Sequence, residues 1–327
     1  EEVEVNGEKV LAPVVYLAQA EGRLGPNGAL IQGRDVNLIT GGDLRNAGTL
    51  RAQNDLSATA GNIDNSGLMQ AGNRLEMLAT DSIRNSRGGI INGRDISDTA
   101  VTGDIINERT VTTFKQEGQG YQLRNDVASE ASRFEATDTL KLNAGRDVLN
   151  LGSNLKAGGN ASVTAGRDVL IASQTEQDDY AYQRRRISGT EQTILQHTSG
   201  VDVGGNLAID ARRDIAVVAS TVSAAKDLSV KAGENLTLAA AANEQHDYSK
   251  GKKGGTKTTT QLDDVTQQSA ELKAGGDLIA IAGTDLTLVA SKISAGNEAY
   301  VHADNELQML AAQDSHYSLY DMSKKGS

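Results

Sequence analysis

Apolar residues recur along this chain in short alternating sets. Leu207, Ile209 and Ala211 show the unit, and so do Leu228, Val230, Ala232; Leu236, Leu238, Ala240; and Leu286, Leu288, Ala290. Alternation of period two puts one face of a strand in a core and the other in solvent. A Gly-x-Asp or Gly-x-Asn step supplies the turn into many of these strands, as at Gly145-Arg146-Asp147 and Gly233-Glu234-Asn235.

The spacing of the strands fixes the architecture. Leading apolar residues fall at 140, 148, 161 and 169, at 207, 215, 228 and 236, and at 278, 286, 299 and 307, so steps of 8 and 13 alternate. The phrase AGRDVL itself returns after 21 residues, from Ala144 to Ala165. A chain that comes back into register at this interval winds into stacked coils. Eight-residue steps are too short for the helix of a βαβ crossover. The pattern predicts an all-β right-handed parallel β-helix of about 20–21 residues per coil, its hand following the usual parallel crossover. Two strands per coil and on the order of 12 coils give a rod about 55 Å long at about 4.8 Å per coil.

The chain divides into three stretches. Residues 1–28 hold opening strands, with a hairpin expected around Asn6-Gly7 and an apolar strand over Val10–Gln19. From 29 to 107 the coils are regular, and Asn46, Asn65, Asn85 and Asn107 recur at intervals of 19, 20 and 22 residues. Asparagines at coil spacing stack into a ladder of side-chain amides. From 108 to 327 the coils are interrupted by polar, Thr-rich excursions at 108–135, 173–203 and 243–271, with a fourth starting at 313. Alternating charge and threonine predict long β-hairpins there. Three excursions share an opening phrase ending in Tyr180, Tyr248 and Tyr317, spaced 68 and 69 residues apart, so one super-repeat is two coils plus one excursion. All leave from the same point of the coil and are expected to line one side of the rod.

Composition agrees with a narrow solenoid. The 327 residues include 3% aromatics, 2 Pro and no Cys. A coil a few side chains wide is filled by aliphatic and small residues, and proline would remove ladder hydrogen bonds. Absence of cysteine excludes disulfides and thiolate metal sites. No run reaches the length of an apolar membrane-spanning helix. Starting on Glu1 and stopping inside a repeat at Ser327, the chain reads as an excised fragment.

The phrases LRNAGTLRA, IDNSGLMQAG and IRNSRGGIING, followed by AGRDVL and GGDLIAIAG, resemble the filamentous haemagglutinin repeats of two-partner-secreted exoproteins. LAPVVYL followed by interrupted repeats is most similar to the second haemagglutinin-repeat region of contact-dependent growth inhibition proteins. That resemblance implies secretion to the bacterial cell surface through an outer-membrane partner transporter. It also implies a part in delivering a C-terminal toxin across the outer membrane of a target cell. An adhesin stalk that binds a host receptor or glycan through its hairpins is the alternative.

Candidate chemistry is confined to the excursions. Two basic clusters, Arg184, Arg185, Arg186 and Lys250, Lys252, Lys253, Lys257, stand out on a chain of net charge −11. With Tyr180, Tyr248 and Tyr317 they are the candidate surface contact, aimed at phosphates or an anionic membrane surface. The competing reading is that charged tips keep hairpins soluble and blunt their edges. Neither a catalytic constellation nor a cofactor motif is present, and His197, His246, His302 and His316 lack metal-ligand spacing. No nucleic-acid partner and no small-molecule substrate are expected, and the chain reads as non-enzymatic. Asp178-Asp179 and Asp263-Asp264 read as hairpin charges. The Gly-Arg-Asp triplets at 33–35, 93–95, 145–147 and 166–168 are expected to stack as exposed ion pairs on one corner, each contributing about 0–1 kcal/mol.

Overall fold

The computed structural model describes residues 2–5, 8–11 and 28–324. Glu2–Val5 and Glu8–Leu11 pair antiparallel, with Val5 opposite Glu8. The rest of the expected strand Val10–Gln19 lies outside the described residues.

From Leu30 onward the chain is a right-handed parallel β-helix with three sheets of ten strands each, hence ten coils rather than twelve among the described residues. Sheet I starts at Leu30–Gly33, sheet II at Val36–Ile39 and sheet III at Leu44–Asn46. The coil is three-sided where two strands were expected. The long step of 13 residues contains the missing sheet I strand, for example Asn154–Ala157 between Val148–Leu151 and Ala161–Ala165. These strands are four residues long with only two inward side chains, such as Leu155 and Ala157. That is too little alternation to register as a period.

Inside, each sheet contributes a column. Ile215, Leu236 and Leu286 stack in sheet III, Leu207, Leu228 and Leu278 in sheet II, and Val201, Val222 and Leu272 in sheet I, all essentially buried. Phe134 is the one aromatic ring in this core among the described residues. The corners stack tightly: a Cβ on Gly166 would meet the Gly145 carbonyl oxygen at 2.1 Å. Only glycine lets successive turns lie this close.

Polar ladders run up the corners. Asn46 Nδ2 donates to Asn65 Oδ1 (2.8 Å), Asn65 to Asn85 (2.8 Å), Asn85 to Asn107 (3.0 Å) and Asn107 to Asn150 (2.8 Å). Beyond Asn150 the same slot holds Ile171, Val217 and Leu238, and the column turns aliphatic. A second ladder begins beside it. Ser132, Ser153 and Ser199 each donate a backbone N–H to the hydroxyl of Ser153, Ser199 and Ser220 in turn, at 3.1–3.2 Å. Together the two ladders pair the buried asparagine amides and serine hydroxyls of the corner between sheets III and I.

The Gly-Arg-Asp triplets occupy two corners, not one. Asp35 lies between sheets I and II and Asp95 opens a sheet II strand at the same corner, where Asp35 Oδ1 accepts from Asn54 Nδ2 (2.9 Å). Asp147 and Asp168 lie between sheets II and III. There Arg146, Arg167 and Arg213 each fork onto the aspartate one coil below, Asp104, Asp147 and Asp168, with Nε contacts of 2.7, 2.8 and 2.9 Å. The same carboxylates accept the backbone N–H of the next coil at 3.1–3.2 Å. Arg146 is held above the ordinary guanidinium range by its hydrogen bond to Asp104.

Every excursion leaves at the corner between sheets III and I. The hairpins are Val111–Gly118 with Tyr121–Ala128, Gln174–Arg184 with Ile187–His197, and Ala241–Lys253 with Thr256–Gln268; Ser315–Lys324 follows as a single strand. They do not stand alone. Each pairs with the next to make one seven-stranded antiparallel sheet along the rod. Two coils separate successive hairpins, and a hairpin is two strands wide. Both distances are about 9.6 Å when coil and strand share the ~4.8 Å spacing. The hairpins therefore arrive edge to edge.

Candidate functional site

This lateral sheet is where chemistry outside the structural ladders is gathered. Directly opposed residues of an antiparallel sheet share a face. The register gives one face the row Lys115, Arg124, Asp179, Gln192, His246, Asp263 and Tyr317, and the other face the row Phe114, Asn125, Asp178, Thr193, Gln245, Asp264 and His316. Both faces are largely half-exposed or exposed. The sheet is a single layer projecting from the rod.

Near the root the sheet is acidic and its carboxylates are engaged. Asp126, buried, takes the Thr113 hydroxyl (2.6 Å), the Arg124 guanidinium (3.0 Å) and the Gln177 N–H (3.1 Å). Burial opposes ionisation, yet these donors together hold its carboxyl below the usual range. Asp178 accepts from Asn125 Nδ2 (2.8 Å) and from the Asp126 N–H (3.0 Å). Asp179 accepts from Gln192 Nε2 at 2.7 Å. His246 lies between Glu244 (3.0 Å) and Asp263 (2.8 Å), and its hydrogen bonds to Glu244 and Asp263 raise its pKa. His197 Nε2 meets Glu176 at 2.5 Å. Among the described residues no three His, Asp or Glu side chains are grouped as metal ligands.

At the tip the sign of charge reverses. The register of the second and third hairpins brings Arg184, Arg185 and Arg186 beside Lys250, Lys252 and Lys257 around one groove of about 480 Å³. The Lys252 N–H donates to the Arg186 carbonyl at 3.0 Å, which joins the two tips. Lys253 sits opposite Thr256 at the turn through Gly254 and Gly255. Both glycines have positive φ, 57° and 83°, as a two-residue hairpin turn of this hand requires.

The three tyrosines do not come together. Tyr180 lies opposite Leu123 and Glu191, on the face of Asp178, and its ring stands 5.6 Å from that of Tyr182. Tyr248 and Tyr317 fall in rows of the other face. Their common opening phrase hides a one-residue offset in register, and one residue exchanges the faces of a strand. Tyr248 carries Lys250 Nζ over its ring at 5.1 Å. Sequence reasoning did not find Asn150, the serine ladder or the pairing between hairpins. The serines were visible as Ser132, Ser153, Ser199 and Ser220 before each sheet I strand, but without that strand they had no register.

The Hemagglutinin repeat family matches residues 28–189, 182–258 and 250–327. The chain is 34% identical, over its full length, to Deoxyribonuclease CdiA of Dickeya dadantii (strain 3937), covering 10% of that protein. It is 28% identical, also over its full length, to 16S rRNA endonuclease CdiA of Enterobacter cloacae subsp. cloacae, covering 10% of it. To tRNA nuclease CdiA of Escherichia coli (strain STEC_O31) it is 28% identical over 99% of the chain and 12% of the relative. The chain thus spans about a tenth of the length of these curated relatives. No solved structure matches it.

Proposed function

The chain belongs to the Hemagglutinin repeat family and is a repeat region of the kind carried by CdiA proteins, and from that premise we propose that it is a non-catalytic rod segment of a secreted, cell-surface exoprotein of contact-dependent growth inhibition type. In this reading it helps carry a C-terminal toxin across the outer membrane of a target cell, after export through an outer-membrane partner transporter. The nuclease names belong to whole relatives of which this segment is a tenth.

The lateral sheet carries the reading. Every hairpin leaves one corner, and pairing between hairpins holds the tips side by side on one flank of the rod. A row of tips fixed in this way meets a surface as a unit. The rod supports a scaffold role, since its buried asparagines, serines and aspartates are spent on inter-coil hydrogen bonds.

Binding to outer-membrane vesicles tests it. The chain is compared with a version whose three hairpins are replaced by short Gly-Asn turns, after circular dichroism establishes that both are folded. Binding should be lost with the hairpins. Equal binding by the two, or binding by neither, makes the segment a spacer and overturns the reading.

A further inference from the structure

We infer that the groove between the tips of the second and third hairpins is a binding site for phosphate groups of lipid headgroups. This rests on the surface-engagement reading above and supplies its chemistry. Lys250, Lys252 and Lys257 share the face that borders the groove and Arg185 and Arg186 form the turn beside it, whereas Arg184, also along the groove, stands opposite Ile187 on the other face. Among the described residues no carboxylate lies within ion-pair distance of any of them, whereas on the rod Arg146, Arg167 and Arg213 each hold an aspartate. On a chain of net charge −11, this cluster of cations without ion-pair partners is a concentration against the general trend.

The register sharpens this. Lys252 stands directly opposite Lys257, and Lys250 projects from the same face one row nearer the root. Like charges directly opposed across strands are destabilising. The arrangement has no internal counter-charge to relieve it, and an anion seated between the two ammonium groups does so. Ser188 and Thr259 add hydroxyl donors, and Gln183 an amide. Lysines and arginines converging with neutral donors are the chemistry that recognises a phosphate oxygen.

The source of the phosphate follows from what surrounds the groove. At the same height, Ile187 (50% exposed) and Met322 (61%) lie on the opposite face of the sheet. Cations with exposed apolar side chains beside them suit the headgroup zone of a lipid layer, where charge meets phosphate and the apolar groups reach the acyl boundary. The groove lining has no aromatic ring on which a base could stack, so a nucleic acid fits less well.

The test uses the whole chain and vesicles of phosphatidylcholine, with or without roughly one-quarter phosphatidylglycerol. Binding should require the anionic lipid and weaken with salt. The variant K250Q/K252Q/K257Q should bind the anionic vesicles about 100-fold more weakly, and K250R/K252R/K257R should retain binding. Inorganic phosphate should compete only at far higher concentration. Unchanged binding by the glutamine variant overturns the groove, and if the hairpin-deleted chain still loses outer-membrane vesicles, the surface reading survives without it. Free phosphate held as tightly as vesicles overturns the lipid source. Tighter capture of a duplex oligonucleotide than of vesicles overturns it in favour of nucleic acid.

Discussion

The Asn125 side-chain amide donates to Asp178 Oδ1 at 2.8 Å across 53 residues of chain, from the first hairpin to the second. The same carboxylate oxygen accepts the Asp126 N–H at 3.0 Å. Asp178 thus reinforces the backbone ladder between the two hairpins, alongside the Gln177 N–H to Asp126 bond (3.1 Å) and the Arg124 to Gln177 Oε1 bond (3.2 Å).

Asp178→Ala should loosen that seam without unfolding the rod. Loss of the two hydrogen bonds is worth about 1–2 kcal/mol. Amide exchange in Tyr121–Ala128 and Gln174–Arg184 should quicken about tenfold, while the amides of the coils stay as protected as before. Equal acceleration in both regions would mean that the hairpins and coils open together.

The asparagine ladder should be costliest to break in its middle. Asn107→Leu removes the donor to Asn150 Oδ1 and leaves that buried acceptor without its partner. Asn150→Leu is milder, because Asn107 Nδ2 keeps the Asn154 carbonyl (3.1 Å). Urea unfolding should find the first variant destabilised by about 2–4 kcal/mol and the second by about 1 kcal/mol. A reversed order would show that packing, not the amide chain, governs this slot.

Asp98 should set a pH dependence of stability. It is 1% exposed, its Oδ1 accepts the Met77 N–H at 3.1 Å, and its Oδ2 has no partner. Burial pushes this carboxyl well above the ordinary carboxylate range, against the Met77 hydrogen bond and with Glu76 adding to the rise. The folded state therefore keeps a proton that the unfolded state releases above about pH 4. Stability from this group is complete below that pH and is lost as pH rises toward the folded pKa. Asp98→Asn should gain on the parent protein as pH rises above about 4 in urea titrations. A constant difference between the two above that pH would refute the assignment.

His246 should titrate above an ordinary histidine. Its hydrogen bonds to Glu244 and Asp263 favour the charged ring. The stabilisation it brings to the third hairpin is present below the unfolded histidine pKa of about 6.5 and fades as pH rises through the raised folded value. An NMR titration of its ring protons should move to lower pH in Asp263→Asn. No movement would leave Glu244 as the partner that matters.

The sequence by itself determined the coils. Side-chain alternation of period two and Gly-x-Asp turns are local, so Leu228, Val230 and Leu236 declare which way they face, and the interval of 21 residues declares the stacking. Asn46, Asn65, Asn85 and Asn107 were legible for the same reason, since identical residues at coil spacing are adjacent in a solenoid. The sheet I strands were not, because Leu155 and Ala157 alone are too short a pattern to announce a third side.

Tertiary structure decided what the excursions become. Their strands could be read from alternation, but nothing local states that Asn125 faces Asp178 or that Lys252 lies beside Arg186. Those neighbours arise because two coils and two strands have the same width, so hairpins anchored on alternate coils meet edge to edge. Register then chose the faces. Tyr180 and Tyr248 share a sequence phrase yet point to opposite sides, because a shift of one residue, set by pairing with a distant strand, reverses a side chain's direction.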